Sequence, residues 1–291
     1  MTEITKESCC KVNLFLKVLR KRPDGFHDIE TIFYPVPLYD YLKLSRKGVG
    51  IRLTCSNPAL PTDSRNLVYK AAAAFLNKLG SQNEGVEIYL DKRLPIAAGI
   101  GAGSSNAANT LLSLNELFGF PFSQEQLFSL AAAIGSDVPF FLQPQPAIAT
   151  GRGEKLQLLE PLLALKEKFL LMAYPGFGVS TQWAYKKLAE YPELFNVPLT
   201  AQHLINSLQT KPLEEAAAGF FNCFETPVFK KYPILGIYKE FLLERGAVVS
   251  LMSGSGSTTF AIANSKEIAE SLREKFINKF GSTLWTAVVK I

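Results

Sequence analysis

Apolar and polar positions along the first part of the chain follow the two-residue spacing of strands. Ile29, Thr31 and Phe33, for example, fall on alternate positions. Short apolar runs rich in β-branched and aromatic residues predict strands at 11–19, 27–47, 50–56 and 85–95. The Pro-Asp-Gly sequence at 23–25 predicts a turn between the first two strands.

Helical spacing replaces this pattern in three segments, which predict helices at 64–80, 104–119 and 123–135. Gly80, Gly119 and Gly135 stand at their ends, where glycine is common because it adopts left-handed conformations. Ser123 and Gln126 match the capping-box pattern at the start of the third helix.

The second half of the chain mixes strands and helices without steady alternation. The pattern predicts strands at 147–159 (a strand pair or one bent strand), 168–176, 246–263 (interrupted) and 284–291, and helices at 181–190, 201–208, 212–222 and 265–279. Such a mixture favours an α+β fold in two lobes over a doubly wound sheet. Polar and charged residues interrupt the pattern near 155–168, which predicts domains at 1–160 and 161–291.

Composition narrows the classes of function. The 291 residues are 47% apolar and 20% charged, as in a globular protein. A net charge of +5 is too small to indicate nucleic-acid binding and suits a small anionic ligand. The cluster of Lys17, Arg20, Lys21 and Arg22 is typical of a solvated face or strand end. The sequence contains no run of about 18 apolar residues, so we expect no membrane partner.

Cysteine and histidine usage argues against a metal centre built by the protein. Cys9, Cys10, Cys55 and Cys223 have no Cys-x-x-Cys spacing, which predicts reduced thiols and a cytoplasmic protein. The two histidines are far apart in the sequence, so a histidine-based metal site is not expected.

The stretch from Pro95 to Ser105 is the strongest candidate for chemistry. Gly99, Gly101 and Gly103 occupy alternate positions directly before a predicted helix. It lacks the Gly-Lys-Ser/Thr ending of a Walker A loop, and a serine replaces the last glycine of a G-x-G-x-x-G motif. Glycines at a helix entrance favour a phosphate ligand, and a tight turn capped by Ser105 is the alternative.

A second glycine-rich segment lies between two apolar strands at 253–258. A hairpin connection explains that segment alone, because its glycines permit positive φ. Two such loops in one chain favour a shared nucleotide site.

Lys11 and Asp137 are candidates for catalysis, each with a structural alternative. Lys11 lies among apolar residues of a predicted strand and is either a surface lysine or an inward one that needs a carboxylate or phosphate partner. Asp137 is either the N-cap of a short helix that starts near Pro139, or an acid that accepts or orients a proton.

Taken together, the segments resemble the GHMP small-molecule kinase superfamily. "PIAAGIGAGSSNAA" is similar to its ATP loop and "LMSGSGSTTFAI" to its C-terminal glycine-rich motif. Segments 11–33, 66–72, 135–142, 151–156 and 253–260 are most similar to members that phosphorylate 4-diphosphocytidyl-2-C-methyl-D-erythritol. The resemblance implies an N-terminal lobe like ribosomal protein S5, a ferredoxin-like C-terminal lobe, and a ligand site in the cleft between them.

The resemblance also implies an activity and its residues. The activity is ATP-dependent phosphorylation of the substrate's 2-hydroxyl, in the non-mevalonate route to isoprenoid precursors, with Mg²⁺ carried by ATP and no metal ligands assigned. The catalytic residues are Lys11 and Asp137. The implied ATP-binding residues are Pro95, Ile96, Ala97, Ala98, Gly99, Ile100, Gly101, Ala102, Gly103, Ser104, Ser105 and Asn66. The implied substrate-binding residues are Asn13, Phe26, His27 and Tyr185, with Phe26 and Tyr185 stacking on cytosine.

Two alternatives stay open, and the chain departs from the family pattern in places. The alternatives are another GHMP kinase acting on homoserine, mevalonate or a sugar, and a catalytically silent nucleotide-binding protein of this fold. Cys9 and Cys10 stand where the family usually has Pro-Ala, and Phe26 replaces its usual tyrosine. Ala97, Ala98 and Ala102 make the loop less glycine-rich than is usual.

Overall fold

Two long strands begin the chain, β1 at Glu3–Lys21 and β2 at His27–Arg46. The turn between them is closed by a hydrogen bond from the Arg22 amide to the Phe26 carbonyl, at 2.8 Å. Gly25 has a φ of +86° in this turn, a conformation that glycine adopts without steric cost. The predicted strands and the Pro-Asp-Gly turn are therefore confirmed.

The computed structural model describes residues 2–80 and 84–291. Contacts divide the chain into two compact units. The first unit comprises Met1–Cys10, Leu38–Leu94 and Gly101–Pro144. The second unit comprises Lys11–Pro37, Pro95–Ile100 and Gln145–Ile291. Strands β1 and β2 each contribute residues to both units. The predicted domain boundary at 160 stays a prediction.

The other strands in the described chain are β3 (Gly50–Cys55), β4 (Gly85–Asp91), β5 (Ala147–Thr150), β6 (Lys155–Leu158), β7 (Phe169–Tyr174), β8 (Phe221–Asn222), β9 (Val249–Met252), β10 (Thr259–Ala263) and β11 (Trp285–Lys290). The α-helices are α1 (Leu67–Leu79), α2 (Ala102–Leu117), α3 (Gln124–Ile134), α4 (Thr181–Leu188), α5 (Ala201–Thr210), α6 (Leu213–Ala216), α7 (Glu225–Lys231), α8 (Pro233–Glu244) and α9 (Lys266–Phe280). Short 3₁₀ helices cover Pro139–Leu142, Leu163–Leu165, Pro192–Asn196 and Ala217–Gly219.

In the first unit, β4 lies between β2 and β3. It pairs antiparallel with β2 from Tyr41–Asp91 to Arg46–Val86, and parallel with β3 along the whole length of that strand. Helix α1 contacts α2 and α3. Apolar side chains of the strands and helices are buried together and form the core of this unit: Leu42, Leu44, Phe75, Ile88, Leu90, Ala108, Leu111 and Leu114.

The second unit contains a four-stranded antiparallel sheet in the order β11-β7-β10-β9. Helices α8 and α9 contact it, and strands β9 and β10 are buried at every position, which explains why their sequences are mostly apolar. In the same unit, β5 pairs with β2 and with β6, and β8 pairs parallel with β1. The antiparallel β5–β6 pair confirms the predicted strand pair at 147–159.

The structure corrects the helix predicted at 212–222. Only Leu213–Ala216 is α-helical, and a 3₁₀ turn follows. Phe221 and Asn222 then pair with Phe15 and Leu16 of β1. Sequence periodicity is local and does not detect a two-residue strand that forms through a partner about 200 residues away. Helices α7 and α8 were not predicted.

Candidate functional site

The loop 95–100 is held in the second unit through its carbonyl groups. The Tyr174 hydroxyl donates to the Ile96 carbonyl at 3.2 Å, and the Thr258 amide donates to the Ala98 carbonyl at 3.1 Å. The Lys11 amide donates to the Ile100 carbonyl at 2.9 Å. Protein donors therefore occupy the carbonyl side of the loop and orient it.

The second glycine-rich loop, 253–258, connects β9 to β10 and packs directly on the first loop. The Ser253 hydroxyl donates to the Gly99 carbonyl at 3.0 Å. A Cβ added at Gly99 would lie 2.3 Å from the Ser253 carbonyl oxygen, and one at Gly254 would lie 2.8 Å from the Gly99 carbonyl oxygen. The two backbones approach so closely that neither position has room for a side chain. Gly254 and Gly256 have positive φ, as the hairpin alternative required.

Helix α2 continues the glycine-rich stretch in the first unit. It begins at Ala102 with Gly101 as its N-cap, at a φ of +69° and without a side-chain cap. Within the described chain, no protein acceptor is recorded for the backbone amides from Gly101 to Ser104. The alternative in which Ser105 caps the turn is wrong, because this serine lies inside the first turn of the helix. Free amides and the positive end of the helix dipole fit an anionic group such as a phosphate.

Lys11 points into the second unit and is only 3% exposed, so the surface-lysine alternative is wrong. Its ammonium donates to the Asn13 Oδ1 at 2.6 Å and lies 3.5 Å from the Gly99 carbonyl oxygen. Asn13 in turn donates from Nδ2 to the Thr31 hydroxyl at 2.7 Å. Neighbouring side chains thus hold the ammonium beside the glycine-rich loop.

Asp137 lies half-buried in the first unit, in the turn between α3 and the 3₁₀ helix Pro139–Leu142. The N-cap of that short helix is Val138, with no side-chain cap, so the interpretation of Asp137 as an N-cap is wrong. The turn is closed by the backbone, through a hydrogen bond from the Val138 amide to the Gly135 carbonyl at 3.1 Å.

Aromatic residues gather in the second unit near the β1–β2 turn. The rings of His27 and Tyr185 stack with their centroids 4.8 Å apart, and Tyr185 meets Phe224 edge-on. The Arg152 guanidinium lies 4.7 Å from the centre of the Phe26 ring, which is half exposed. Burial lowers the pKa of His27, and the positive charge of Lys21 lowers it further, so the neutral imidazole is favoured near pH 7.

Asp40 ties the two ends of the glycine-rich stretch within the first unit. It is fully buried, and its Oδ1 accepts from the amides of Arg93 and Leu94, both at 2.8 Å. Its Oδ2 accepts from the buried Lys92 ammonium and from Asn106 Nδ2. Because Leu94 precedes the loop and Asn106 lies on α2, one carboxylate holds both the entry and the exit.

Comparisons with known proteins agree with this arrangement. Two family models match the chain, the GHMP kinases N terminal domain at residues 66–144 and the GHMP kinases C terminal domain at 204–283. A 4-diphosphocytidyl-2-C-methyl-D-erythritol kinase of Synechococcus sp. (strain JA-3-3Ab) is 40% identical over 276 residues, which cover 93% of this chain and 88% of the relative. The kinase of the same name from Protochlamydia amoebophila (strain UWE25) is 39% identical over 100% of this chain and 96% of its own length.

The chain belongs to the 4-diphosphocytidyl-2-C-methyl-D-erythritol kinase family. A crystal structure of a 4-(cytidine 5'-diphospho)-2C-methyl-D-erythritol kinase is similar to it with a TM-score of 0.80 and 32% identity, covering 99% of this chain and 100% of that one. The mixed α+β GHMP kinase fold, with N- and C-terminal domains, is therefore confirmed.

In this kinase the structure groups the predicted site residues by unit. Lys11, Asn13 and the loop 95–100 lie together in the second unit, as do Phe26, His27 and Tyr185. Ser104, Ser105, Asn66 and Asp137 belong to the first unit. Asn66 caps helix α1 by accepting from the Val68 amide and also donates to the Pro61 carbonyl. Capping alone accounts for this asparagine, and its predicted contact with ATP stays a prediction.

Several residues that shape the site were missed by the sequence analysis. Asn222 donates to the carbonyls of Met252 and Gly254, at 2.7 and 2.8 Å, and so supports the second glycine-rich loop. Thr31, Asp40 and Arg152 were equally unassigned. Arg152 lies in "GRGEKL", one of the segments that resemble the kinase family. That resemblance was the one feature of the sequence that pointed to this arginine.

The cysteines of this kinase are free thiols, and three of them stay protonated. Burial raises the pKa of Cys9 to about 11 and that of Cys223 to about 12, and it raises the pKa of Cys10 as well. Protonated thiols are poor nucleophiles, which agrees with a mechanism that does not use cysteine.

The described residues contain neither a cluster of metal-binding side chains nor a helix that could span a membrane. No group of three or more histidine, cysteine, aspartate or glutamate side chains among them could hold a metal ion. Within residues 2–80 and 84–291, no helix combines the length and the apolar composition that crossing a membrane requires.

Gly99→Ala is expected to destabilise the second unit by at least about 2 kcal/mol. Gly99 has a φ of +79°, and its new methyl group would lie 2.3 Å from a backbone oxygen that cannot move away alone. Gly103→Ala is the matched control, because a Cβ there meets only Leu67 Cδ1, at an ordinary 3.6 Å. Urea unfolding of both variants measures the difference, and equal midpoints would contradict the loop packing described above.

Proposed function

We propose that this protein transfers the γ-phosphoryl group of ATP to the 2-hydroxyl of 4-diphosphocytidyl-2-C-methyl-D-erythritol. The observation that carries the proposal is the buried Lys11 ammonium, held by Asn13 beside the Gly99 carbonyl of the glycine-rich loop. The identity of the acceptor is supported by the relatives of that name, which match nearly the whole chain. The reaction would take place in the cytoplasm, as a step in isoprenoid precursor synthesis.

ATP binding is assigned to the glycine-rich stretch, and its residues fit a polyphosphate. Protein donors occupy the carbonyls of Ile96, Ala98 and Ile100, so the loop has fixed orientation. The amides from Gly101 to Ser104 have no recorded protein acceptor in the described chain, and Gly103 adds no side chain there. The partly exposed Ser104 hydroxyl lies nearby, whereas Ser105 is fully buried and its hydroxyl lies 3.5 Å from Asn109 Nδ2. Mg²⁺ bound with ATP would supply neutralisation of phosphate charge.

Lys11 and Asp137 are proposed as the catalytic residues. Phosphoryl transfer depends mainly on positioning and on charge stabilisation, because the protein forms no covalent bond. The Lys11 ammonium offsets negative charge on the transferred group. The Asp137 carboxylate accepts or orients the proton of the acceptor hydroxyl. Lys11 is buried and Asp137 is half-buried, and reduced contact with water strengthens their electrostatic effect.

Phe26, His27 and Tyr185 are proposed to hold the cytidine end of the acceptor. One side of the Phe26 ring faces Arg152, so a cytosine base would stack on its other side. Tyr185 is already stacked on His27, which fixes the orientation of the imidazole. The neutral imidazole both donates and accepts a hydrogen bond and suits the polar edge of a base.

Phe26→Ala is expected to raise the KM for the cytidine substrate more than it lowers kcat. Stacking contributes to ground state and transition state alike, so its loss weakens binding about equally in both. The ring is half exposed, and its removal leaves no buried cavity. Steady-state kinetics with ATP held saturating provide the measurement, and Phe120→Ala, at another exposed phenylalanine, is the control. An unchanged KM would contradict the stacking role.

Release of ADP from ATP and Mg²⁺ with a panel of acceptors tests the proposed function directly. The panel contains 4-diphosphocytidyl-2-C-methyl-D-erythritol, mevalonate, homoserine and galactose. We expect turnover with the first compound alone, together with a phosphorylated product of the corresponding mass. Turnover only with one of the other three, or with none, would overturn the proposal.

A further inference from the structure

Thr31 is fully buried on β2, and its hydroxyl is bonded on both sides. It accepts from Asn13 Nδ2 at 2.7 Å and donates to the Phe15 carbonyl at 2.6 Å. Asn13 then accepts from the Lys11 ammonium through Oδ1 at 2.6 Å. Hydrogen bonds therefore connect Lys11, Asn13, Thr31 and the Phe15 carbonyl in one series, entirely within the second unit.

The Phe15 carbonyl determines which group donates and which accepts in each of these hydrogen bonds. A backbone carbonyl only accepts, so the single hydroxyl proton of Thr31 must be donated to Phe15. The hydroxyl oxygen is then free only to accept, and Asn13 must present its Nδ2 to it. The amide is thereby oriented with Oδ1 towards Lys11, whose ammonium only donates.

We propose that Thr31 is a positioning residue for the phosphoryl transfer, acting through Asn13 on the Lys11 ammonium. This inference rests on the proposed function, because it assigns Lys11 a role in that reaction. Thr31 is 0% exposed, so it acts on the reaction only through its neighbours. Its contribution is to hold the Nδ2 end of the Asn13 amide, so that Oδ1 stays fixed towards the ammonium. The same ammonium lies 3.5 Å from the Gly99 carbonyl, so the series ends at the glycine-rich loop.

Loss of the Thr31 hydroxyl removes one of the two hydrogen bonds that fix the Asn13 amide. The Asn13 Nδ2 would have no partner at that position, and the Phe15 carbonyl would lose its donor. The amide would then be held at Oδ1 alone, so the position of that oxygen would vary more. The ammonium would lose a fixed acceptor, and its position beside Gly99 would be less defined, which lowers the rate of the chemical step.

Two substitutions distinguish positioning from packing. Thr31→Val keeps the shape of the side chain and removes the hydroxyl, whereas Thr31→Ser keeps the hydroxyl and removes a methyl group. For positioning, we expect the valine variant to have a kcat about 10- to 100-fold lower, with both KM values within about threefold of wild type. The serine variant should keep kcat within about threefold of wild type. Packing alone predicts the reverse order.

A measurement on the ligand-free protein complements the kinetics. In protein labelled with ¹⁵N-asparagine, the Asn13 side-chain amide is assigned from the signal that Asn13→Asp removes. We expect its protons to exchange slowly in wild type and in Thr31→Ser, and clearly faster in Thr31→Val. If the valine variant does not fold, Thr31→Cys provides the same comparison, because a thiol is a weak hydrogen-bonding group.

The outcomes separate the two proposals. Slow exchange and full kcat in Thr31→Val, or a serine variant as impaired as the valine variant, would overturn the positioning role. Wild-type protein that phosphorylates none of the panel compounds would overturn the proposed function, and the exchange measurement would still decide the orientation of Asn13. Wild-type activity with the expected order of variants supports both.

Discussion

Asp137→Asn is expected to lower kcat by about 10²- to 10⁴-fold while ATP binding stays nearly unchanged. Asparagine has the shape of aspartate but cannot accept the proton of the acceptor hydroxyl. The turn around residue 137 is closed by the backbone hydrogen bond from the Val138 amide to the Gly135 carbonyl, which the substitution leaves in place. Steady-state kinetics and ATP titration calorimetry measure the two effects separately.

Asp91→Asn is the matched control for this experiment. Asp91 ends strand β4 in the same unit and forms an exposed ion pair with Arg93. Exposed ion pairs contribute about 0–1 kcal/mol, so this variant should retain both its stability and its kcat. Near-normal kcat for Asp137→Asn would contradict the assigned role. A loss of ATP binding equal to the loss of kcat would assign the residue to nucleotide binding instead.

Asp40→Ala is expected to reduce the free energy of unfolding by about 3–5 kcal/mol. The substitution leaves the Lys92 ammonium, 4% exposed, without its carboxylate partner. It also removes the acceptor of two backbone amides at Arg93 and Leu94. Urea unfolding followed by circular dichroism measures the loss, and the glycine-rich stretch should lose ATP affinity together with stability.

Two further variants sharpen the Asp40 experiment. Asp63→Ala removes an aspartate whose ion pair with Arg65 is exposed, and its cost should stay below about 1 kcal/mol. In Asp40→Asn combined with Lys92→Met, the unpaired buried charge is absent, so part of the stability should return. Similar losses of unfolding free energy in Asp40→Ala and Asp63→Ala would show that the buried Asp40–Lys92 pair contributes no more than an exposed one.

Local signals were enough to predict most of the elements. The capping box of Ser123 and Gln126 is present as the sequence indicated, and Gly80 ends α1 in the left-handed conformation. Both motifs depend on residues within four positions of each other, so the sequence contains all the information they need. The two-residue strand β8 has no such local signal and was taken for helix.

The candidate site was only partly predictable from local sequence. The glycine-rich stretch stood out because several glycines before a helix are costly without a function. The structure adds a second reason for Gly99, which contacts the backbone of the loop at 253–258. That contact joins segments about 150 residues apart, and composition does not show it. Lys11 could likewise be interpreted as a surface lysine until its burial was known.

The hydrogen-bond partners of buried polar groups could not be predicted from the sequence. Asp40, Thr31 and Asn222 lie in strands, and no sequence motif singled them out. Their hydrogen-bond partners come from elsewhere in the chain. A buried polar group must find a hydrogen-bond partner, but the partner is selected by the fold and not by spacing.

By itself, the sequence determined the α+β class, most strands and helices, and the family, and it singled out the stretch at 95–105 as the candidate anion-binding site. These follow from local periodicity, capping and short motifs. Only the tertiary structure decided which way Lys11 points, how the Asn13 amide is oriented, and why Gly99 tolerates no side chain. The physical reason is that hydrogen-bond direction and close backbone contact depend on three-dimensional neighbours, which β1, β2 and the two glycine-rich loops bring together from distant parts of the chain.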